Sequence, residues 1–386
     1  MGRRARRVWK RTFDTPLTLR RLLFSLVPLV LVLGCLEILA RIWEPPPIEG
    51  DAAGSLATLL EAHPTRIWTQ SPGLLETPGA SFQIGDDGLR EIPETGASLR
   101  LLTLGDSSIL GHGLVHADTL HARLGLALSE QGIEADVFCG GVAGYSTEQS
   151  LRLLEEVGWR VEPDLLVVGN LWSDNSYERF VDREWMAVLD ARRIRLHHLL
   201  SGSFAWQWLQ HLAHPLPETD TSEVPHVGWV KTPFENGHRR VPVNEYTQNL
   251  DRMLEEAAQR GAGAILLQPA NTERLEQPWG WGWDVYFKAM TAVAEHRGVP
   301  VVDLVGALRE GGLSRDEAFL DRMHPTGSAN GLYAERVAAV LTAAGWPGNR
   351  LVPQDVGAFT QVFTDSGSAV IPLLTDPATE GPEDQN

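Results

Sequence analysis

The chain has 386 residues, 43% of them apolar, and 24 prolines, a composition that suits a globular protein and excludes a fibrous or wholly disordered one. Net charge is −17, unevenly placed: residues 1–21 carry eight bases (Arg3, Arg4, Arg6, Arg7, Lys10, Arg11, Arg20 and Arg21) against one acid, Asp14, so that the remainder sums to −24. An acidic body argues against nucleic acid as a partner, because binding phosphates needs a basic face.

From Leu22 to Ala40 runs a stretch of 19 residues whose one charge is Glu37. As a helix it is roughly 28 Å long, about the thickness of a bilayer's hydrocarbon core. The bases precede it, while Glu44, Glu49 and Asp51 follow it. The positive-inside rule therefore makes 1–21 a cytoplasmic basic arm, 22–43 a transmembrane anchor, and places everything later across the membrane. The rival reading is a cleaved signal peptide: Val32-Leu33-Gly34-Cys35 is similar to a bacterial lipobox, which makes Cys35 a lipidated first residue. Against it, Leu36, Ile38, Leu39, Ile42 and Trp43 continue the apolar pattern where a lipoprotein has a polar tether. Both readings attach the protein to a membrane. With Cys35 in the anchor, Cys139 has no partner for an intrachain disulfide, so the body depends on its core.

Glu44-Pro45-Pro46-Pro47 ends the helix and starts a stiff linker. Residues 44–98 read as this linker and an irregular N-terminal segment, with a few irregular strands expected to lie against the body within 51–98. Short apolar runs bounded by Gly, Pro or Asp predict strands at 99–104, 135–139, 164–169, 263–268 and 300–304. Helical patterns lie between and after them, at about 118–130, 147–158, 247–260, 283–297 and 327–344. In the third of these Leu250, Met253, Leu254 and Ala257 share one face. Strands alternating with helices imply a parallel sheet with right-handed crossovers, an α/β domain over 99–350. The segment 176–245 interrupts the rhythm. Leaving from the carboxyl end of the third strand, it is expected to overhang the sheet mouth as a lid. The Gly, Ser, Pro and acid-rich tail, 351–386, is expected to be disordered.

Gly105-Asp106-Ser107 follows the first strand directly, putting a serine at the carboxyl edge of the sheet, where α/β proteins place their chemistry. A turn needs Gly and Asp for local reasons too, so the tripeptide acquires meaning only with a base. Asp321-Arg322-Met323-His324-Pro325, between the fifth strand and the last helix, offers one. An Asp three residues before a His can accept the Nδ1 proton and leave Nε2 to deprotonate a serine. By itself, Asp-x-x-His-Pro also reads as the approach to a helix capped by Thr326.

The pairing of these two segments resembles the terminal signature of the SGNH, or GDSL, hydrolase superfamily, over roughly residues 85–345. The resemblance implies a flavodoxin-like three-layer α/β/α sandwich with a five-stranded parallel sheet and a Ser-His-Asp triad for ester hydrolysis without metal or cofactor. Ser107 then corresponds to the nucleophile, His324 to the base and Asp321 to its partner. Cys139-Gly140-Gly141-Val142-Ala143-Gly144-Tyr145 is similar to the family's second block, which makes Gly144 a backbone oxyanion donor beside Ser107. Asp86-Asp87-Gly88-Leu89-Arg90 resembles an upstream element of the membrane-anchored bacterial members, with a structural role expected. The third block departs: the family's Asn donor falls on Ser173 and its following Asp on Asp174. The donor is then Asn175, preferred here, or Ser173 or Asn170, or it is absent.

Remaining groups carry bland readings beside sharper ones. His112, His116, Asp118 and His121 lack ligand spacing, and no metal is expected there. Cys139 reads as a small core residue. The run Pro278-Trp279-Gly280-Trp281-Gly282-Trp283 reads equally as a surface for sugar rings or acyl chains and as a packed aromatic patch. Together these features point to a membrane-anchored serine esterase of the bacterial inner membrane, its catalytic domain facing the periplasm or exterior, acting on acylated glycans or lipids of the envelope. An O-acyltransferase on an extracytoplasmic glycan and a catalytically weakened binding protein are the alternatives.

Overall fold

In the computed structural model, residues 16–43, 60–77, 79–178, 180–213, 238–276, 283–363 and 369–370 are described. The chain divides into two units, Asp51–Ala191 with Ser222–Asn386, and Met1–Gly50 with Arg192–Thr221.

The larger unit is built on five apolar strands: β1 (Leu99–Gly105), β2 (Ala135–Gly141), β3 (Leu165–Val168), β4 (Gly263–Gln268) and β5 (Val301–Asp303). They form one parallel sheet in the order β2-β1-β3-β4-β5, the doubly wound order in which the chain reverses direction beside β1. Because side chains alternate along a strand, each strand feeds two cores. Leu166, Val168, Ala264 and Leu266 meet helices Thr147–Glu156, Val243–Arg260 and Trp283–Arg297 on one face. Leu165, Val167, Ile265 and Leu267 meet helices Leu120–Glu130, Leu304–Gly311 and Gly327–Ala343 on the other. The expected α/β/α layering and all five strands are present; helix Leu304–Gly311, capped by Asp303 through the Gly306 N–H, is additional to those expected.

Residues 60–84, expected to be irregular, form two antiparallel hairpins, Leu60–His63 with Ile67–Gln70 and Gly73–Thr77 with Ala80–Ile84. Leu75, Phe82 and Ile84 are buried against Leu110, Cys139 and Ala143, so this segment closes over the carboxyl ends of β1 and β2. Burial raises the Cys139 thiol to about 11 and keeps it inert, as a core residue should be.

The 176–245 insertion is tied off at its base. Tyr177–Glu178 pairs antiparallel with His238–Arg239, and just beyond it Asp182 receives two hydrogen bonds from Arg240, Nε at 2.9 Å and Nη2 at 2.8 Å. Both side chains are buried. Of the expected lid over 176–245, residues 214–237 lie outside the described residues, and Asp182–Val188, Ala191–Ser201 and Phe204–Ala213 are helices. The tail differs from expectation: 351–363 is laid along the body. Gln354 donates its N–H to Arg297 O (2.7 Å), Phe359 to Asp251 Oδ2 (2.9 Å) and Phe363 to Asn244 Oδ1 (2.8 Å), with Phe363 buried. Helix Val243–Arg260 thus supplies polar anchors that composition alone could not reveal.

In the smaller unit, helix Pro16–Ile42 covers the apolar run, and helix Phe204–Ala213 packs on it. Glu37 accepts hydrogen bonds from the N–H groups of Phe204 and Ala205 (both 3.2 Å) and from Ser203 Oγ (2.7 Å). The one charge in the apolar run therefore caps a second helix, satisfying donors that a helix start leaves open. Trp208 Nε1 donates to Trp43 O at 2.5 Å. Among the described residues no helix is long and apolar enough to cross a membrane. The side chains of residues 16–26 are not among those described; the expected span at 22–43 is found as a helix through Ile42.

Removing one partner of a buried ion pair strands the other charge. Asp182→Ala should lower stability by about 3–5 kcal/mol in urea unfolding, whereas loss of the exposed Arg315–Glu276 pair should cost under about 1 kcal/mol.

Candidate active site

At the end of β1 the chain breaks from Gly105 into the short helix Ser107–Leu110, capped by Asp106, whose carboxylate accepts the Ser108 N–H at 2.9 Å. The adjacent strand allows this turn to sit so close only because it ends in glycine: a Cβ on Gly141 would lie 2.3 Å from Leu110 N. Beyond the helix, Arg90 is buried and donates to three carbonyls, Leu110 and Gly111 through Nη1 (3.0 and 3.2 Å) and Leu114 through Nη2 (3.0 Å). The upstream Asp-Asp-Gly-Leu-Arg element thus holds the far side of the Ser107 turn.

The loop before helix Gly327–Ala343 brings His324. Phe319 bridges Pro325, Leu320 N–H donates to His324 O at 2.8 Å, and Thr272 donates to Arg322 O through both its N–H and its hydroxyl. On this braced loop Asp321 Oδ1 accepts the Met323 and His324 N–H groups (2.8 and 2.9 Å), and its Oδ2 accepts a hydrogen bond from His324 Nδ1 at 2.6 Å. Partial burial acts to raise the Asp321 carboxyl, but the His324 ring and the two N–H groups prevail and hold it below the ordinary carboxylate range. An ionised Asp321 fixes the tautomer with hydrogen on Nδ1. His324 Nε2 is then the acceptor for the Ser107 hydroxyl, at 2.8 Å across 217 residues of sequence. Ser107 and His324 are 7% and 8% exposed, enough to be reached yet poorly screened by water.

Beside them the loop after β2 begins with Val142 N–H donating to Gly105 O at 3.1 Å. Gly144 sits in the left-handed region, φ 73°, which a side chain would strain. Among the described residues neither the Gly144 nor the Ser107 N–H has an acceptor, so both are available to a developing oxyanion. The three third-block candidates are placed differently. Asn170 is fully buried and its amide is committed to Tyr145 O (3.3 Å) and Ser150 Oγ (2.9 Å), which removes it as a donor to substrate. Asn175 Oδ1 accepts from Arg239 Nη1 at 2.5 Å, which sets the orientation of that amide. Ser173 is buried to 3% exposure, and its hydroxyl makes no hydrogen bond among the described residues.

Asp174 does the neighbouring structural work. Its Oδ1 accepts the Thr147 N–H and hydroxyl (2.8 and 2.5 Å), fastening β3's loop to the start of helix Thr147–Glu156. Burial raises its pKa to about 7, with the Asp182 charge adding to the shift and Thr147 and Arg240 opposing it.

His112 lies with its ring centroid 4.9 Å from that of His324. Burial, then the nearby His324 charge, lowers His112 to about 4, so it packs on the base as a neutral ring. Among the described residues no group of three or more His, Cys, Asp or Glu side chains is placed to hold a metal. Of the tryptophan run, residues 277–282 lie outside those described, and Trp283 is a core residue against Trp172, ring centroids 5.1 Å apart. Sequence reasoning passed over Arg240 and Asp182. The adjacent arginines Arg239-Arg240 at the exit of the insertion were the available signal.

No family model and no curated protein matches the chain. Similar solved structures include LAE5, an α/β hydrolase enzyme from the metagenome of Lake Arreo, Spain, at 20% identity over 64% of this chain and 96% of that one, TM-score 0.42. They also include Axe2, an acetylxylan esterase from Geobacillus stearothermophilus (18% identity, 66% and 97% covered, TM-score 0.41). A lipase/acylhydrolase from Enterococcus faecalis is similar at 16% identity (64% and 96% covered, TM-score 0.41). At that distance the chemistry of this site rests on its own residues.

A carboxyl raised to about 7 when folded, against about 4 when unfolded, takes up a proton on folding. Its contribution to stability is therefore full at low pH and declines as pH rises from about 4 to about 7. Asp174→Asn, which keeps the acceptor toward Thr147, should gain stability relative to wild type progressively across that window, read by urea unfolding at pH 4.5 and pH 7.5.

Proposed function

We propose that this chain is a serine ester hydrolase. The observation that carries the reading is the unbroken relay Asp321–His324–Ser107, 2.6 and 2.8 Å per step, at the carboxyl edge of β1. In the first half-reaction Ser107 Oγ attacks the ester carbonyl while its proton passes to His324 Nε2. The carbonyl oxygen gains the negative charge, opposite the N–H groups of Ser107 and Gly144. Collapse breaks the ester C–O bond, and His324 returns the proton to the departing alcohol. Water then attacks the acyl-enzyme, giving its proton to His324, and Ser107 leaves with that proton as the acid is released. Asp321 stays ionised throughout and balances the imidazolium. Asn175 or Ser173 supplies the third donor.

The location reading follows from helix Pro16–Ile42. Its 27 residues are about 40 Å long, and Val30, Leu31, Val32, Leu33, Ile38 and Ile42 are more than half exposed, with the basic arm preceding them. These features support a membrane anchor with the catalytic unit outside the cytoplasm, and hence acyl esters of envelope glycans or lipids as substrates.

Full-length protein in a membrane fraction washed with alkaline carbonate should react with a fluorophosphonate and hydrolyse p-nitrophenyl acetate, and Ser107→Ala should do neither. Loss of the protein in the wash refutes the anchor; label or turnover that persists in Ser107→Ala refutes the nucleophile. For the third donor, Asn175→Ala and Ser173→Ala separate the two candidates: the true one should lower kcat by roughly 10²–10³-fold with little change in KM.

A further inference from the structure

We infer that Trp68 is a positioning residue for the oxyanion site: its indole N–H holds the Ala143 carbonyl and so aims the Gly144 N–H. The inference rests on the ester-hydrolase reading above and extends it to a hairpin outside the α/β sandwich. A peptide unit is planar and trans, with its C=O and N–H pointing in opposite directions. The carbonyl of Ala143 and the N–H of Gly144 belong to one such unit. Trp68 Nε1 donates to Ala143 O at 3.0 Å, and the N–H on the opposite side of that plane has no acceptor among the described residues. A rotation of this peptide would move the donor off the oxyanion and break the indole bond together.

Trp68 is itself held. Tyr145 Oη donates back to Trp68 O at 2.8 Å, and the ring packs edge-on against Tyr145 and Trp185, centroids 6.4 Å apart in each case. The Arg240 guanidinium lies 5.0 Å over the same ring and bonds the next carbonyl, Gly144 O, at 2.7 Å. The carbonyl after that, Tyr145 O, is taken by Asn170. Three successive carbonyls are thus each claimed by a side chain from a different segment. A Cβ on Gly144 would meet Trp68 Cζ2 at 3.3 Å, so the ring also bounds the loop sterically.

The test uses full-length protein with Trp68→Phe, which keeps an aromatic ring in the packing and deletes the N–H. The kcat for p-nitrophenyl acetate should fall roughly tenfold, less than the loss of a whole donor, while KM changes less than about twofold. Affinity for phenylboronic acid should fall by the same factor as kcat. There Ser107 Oγ adds to the trigonal boron, its proton passes to His324, and the tetrahedral adduct presents an oxygen to the oxyanion site. Should Trp68→Phe fail to fold, the isosteric benzothienylalanine at position 68 removes the N–H without changing shape and carries the same expectation. Wild-type kcat and boronate affinity in the folded variant, whatever its melting temperature, would overturn the inference alone. Absence of Ser107-dependent turnover or labelling in the wild type would overturn the ester-hydrolase reading, and this inference with it.

Discussion

The buried ion pair between Arg240 and Asp182 is the contact on which the site's surroundings converge. Arg240 is among the largest fully buried side chains of the chain. A guanidinium enters an apolar interior only when its donors are matched, since desolvation otherwise outweighs the Coulomb gain. Here Asp182 takes two of them, Gly144 O a third and Gln149 Oε1 a fourth at 2.7 Å. Asp182 in turn accepts from Ser146 Oγ at 2.5 Å. Ser146 and Gln149 form the capping box of helix Thr147–Glu156. One pair thereby joins the two ends of the insertion, the start of a helix and the loop beside the nucleophile. Such a network is rigid because every member would be left with an unpaired buried group if it moved.

A comparable logic governs the side of the Ser107 turn away from that loop. Among the described residues Arg90 has no carboxylate partner; its donors go to the carbonyls of Leu110, Gly111 and Leu114, and its face lies 3.9 Å over the Phe82 ring. Burial lowers its pKa, yet guanidinium stays protonated in any realistic environment. The result is a fixed cation whose geometry holds the loop that carries His112. Both arginines are thus used for planar, multidentate bonding, Arg90 to backbone carbonyls and Arg240 to Asp182, Gln149 and Gly144 O, which lysine, a point charge on a flexible stem, does not reproduce.

The Asp321–His324 pair is held by short local devices. Asp321 caps the two N–H groups that follow it and holds His324 from the same turn, so acid and base keep their mutual geometry whatever the rest of the loop does. Only the link from His324 to Ser107 spans the sheet, and a weak contact from Ser108 Oγ to Met323 O at 3.5 Å accompanies it. The precision of that link depends on the parallel register of β1, β3, β4 and β5, which brings the ends of the first and last strands to the same edge.

How much was legible in the chain follows from the range of the forces involved. Strand and helix identity, the Gly105-Asp106-Ser107 turn and the Asp321–His324 pair are local: periodicity, glycine and a three-residue spacing report them directly. The apolar run that becomes helix Pro16–Ile42 was equally plain. A few irregular strands were expected in 51–98, but not their pairing into two hairpins at 60–84, because the strands are short and their apolar positions few, so pairing rather than pattern defines them. The tail at 351–363 was misread for a similar reason: its order comes from Asp251, Arg297 and Asn244, residues far away in sequence. The demotion of Asn170 from candidate donor to buried brace, and the assembly of Trp68, Arg240 and Asp182 around Gly144, required the folded chain. By itself the sequence determined the sheet strands, the Gly105-Asp106-Ser107 turn and the Asp321–His324 pair, because each is written in neighbouring residues. The tertiary structure alone decided what surrounds them, because a buried polar group is satisfied by whichever distant partner the packing brings within hydrogen-bond reach.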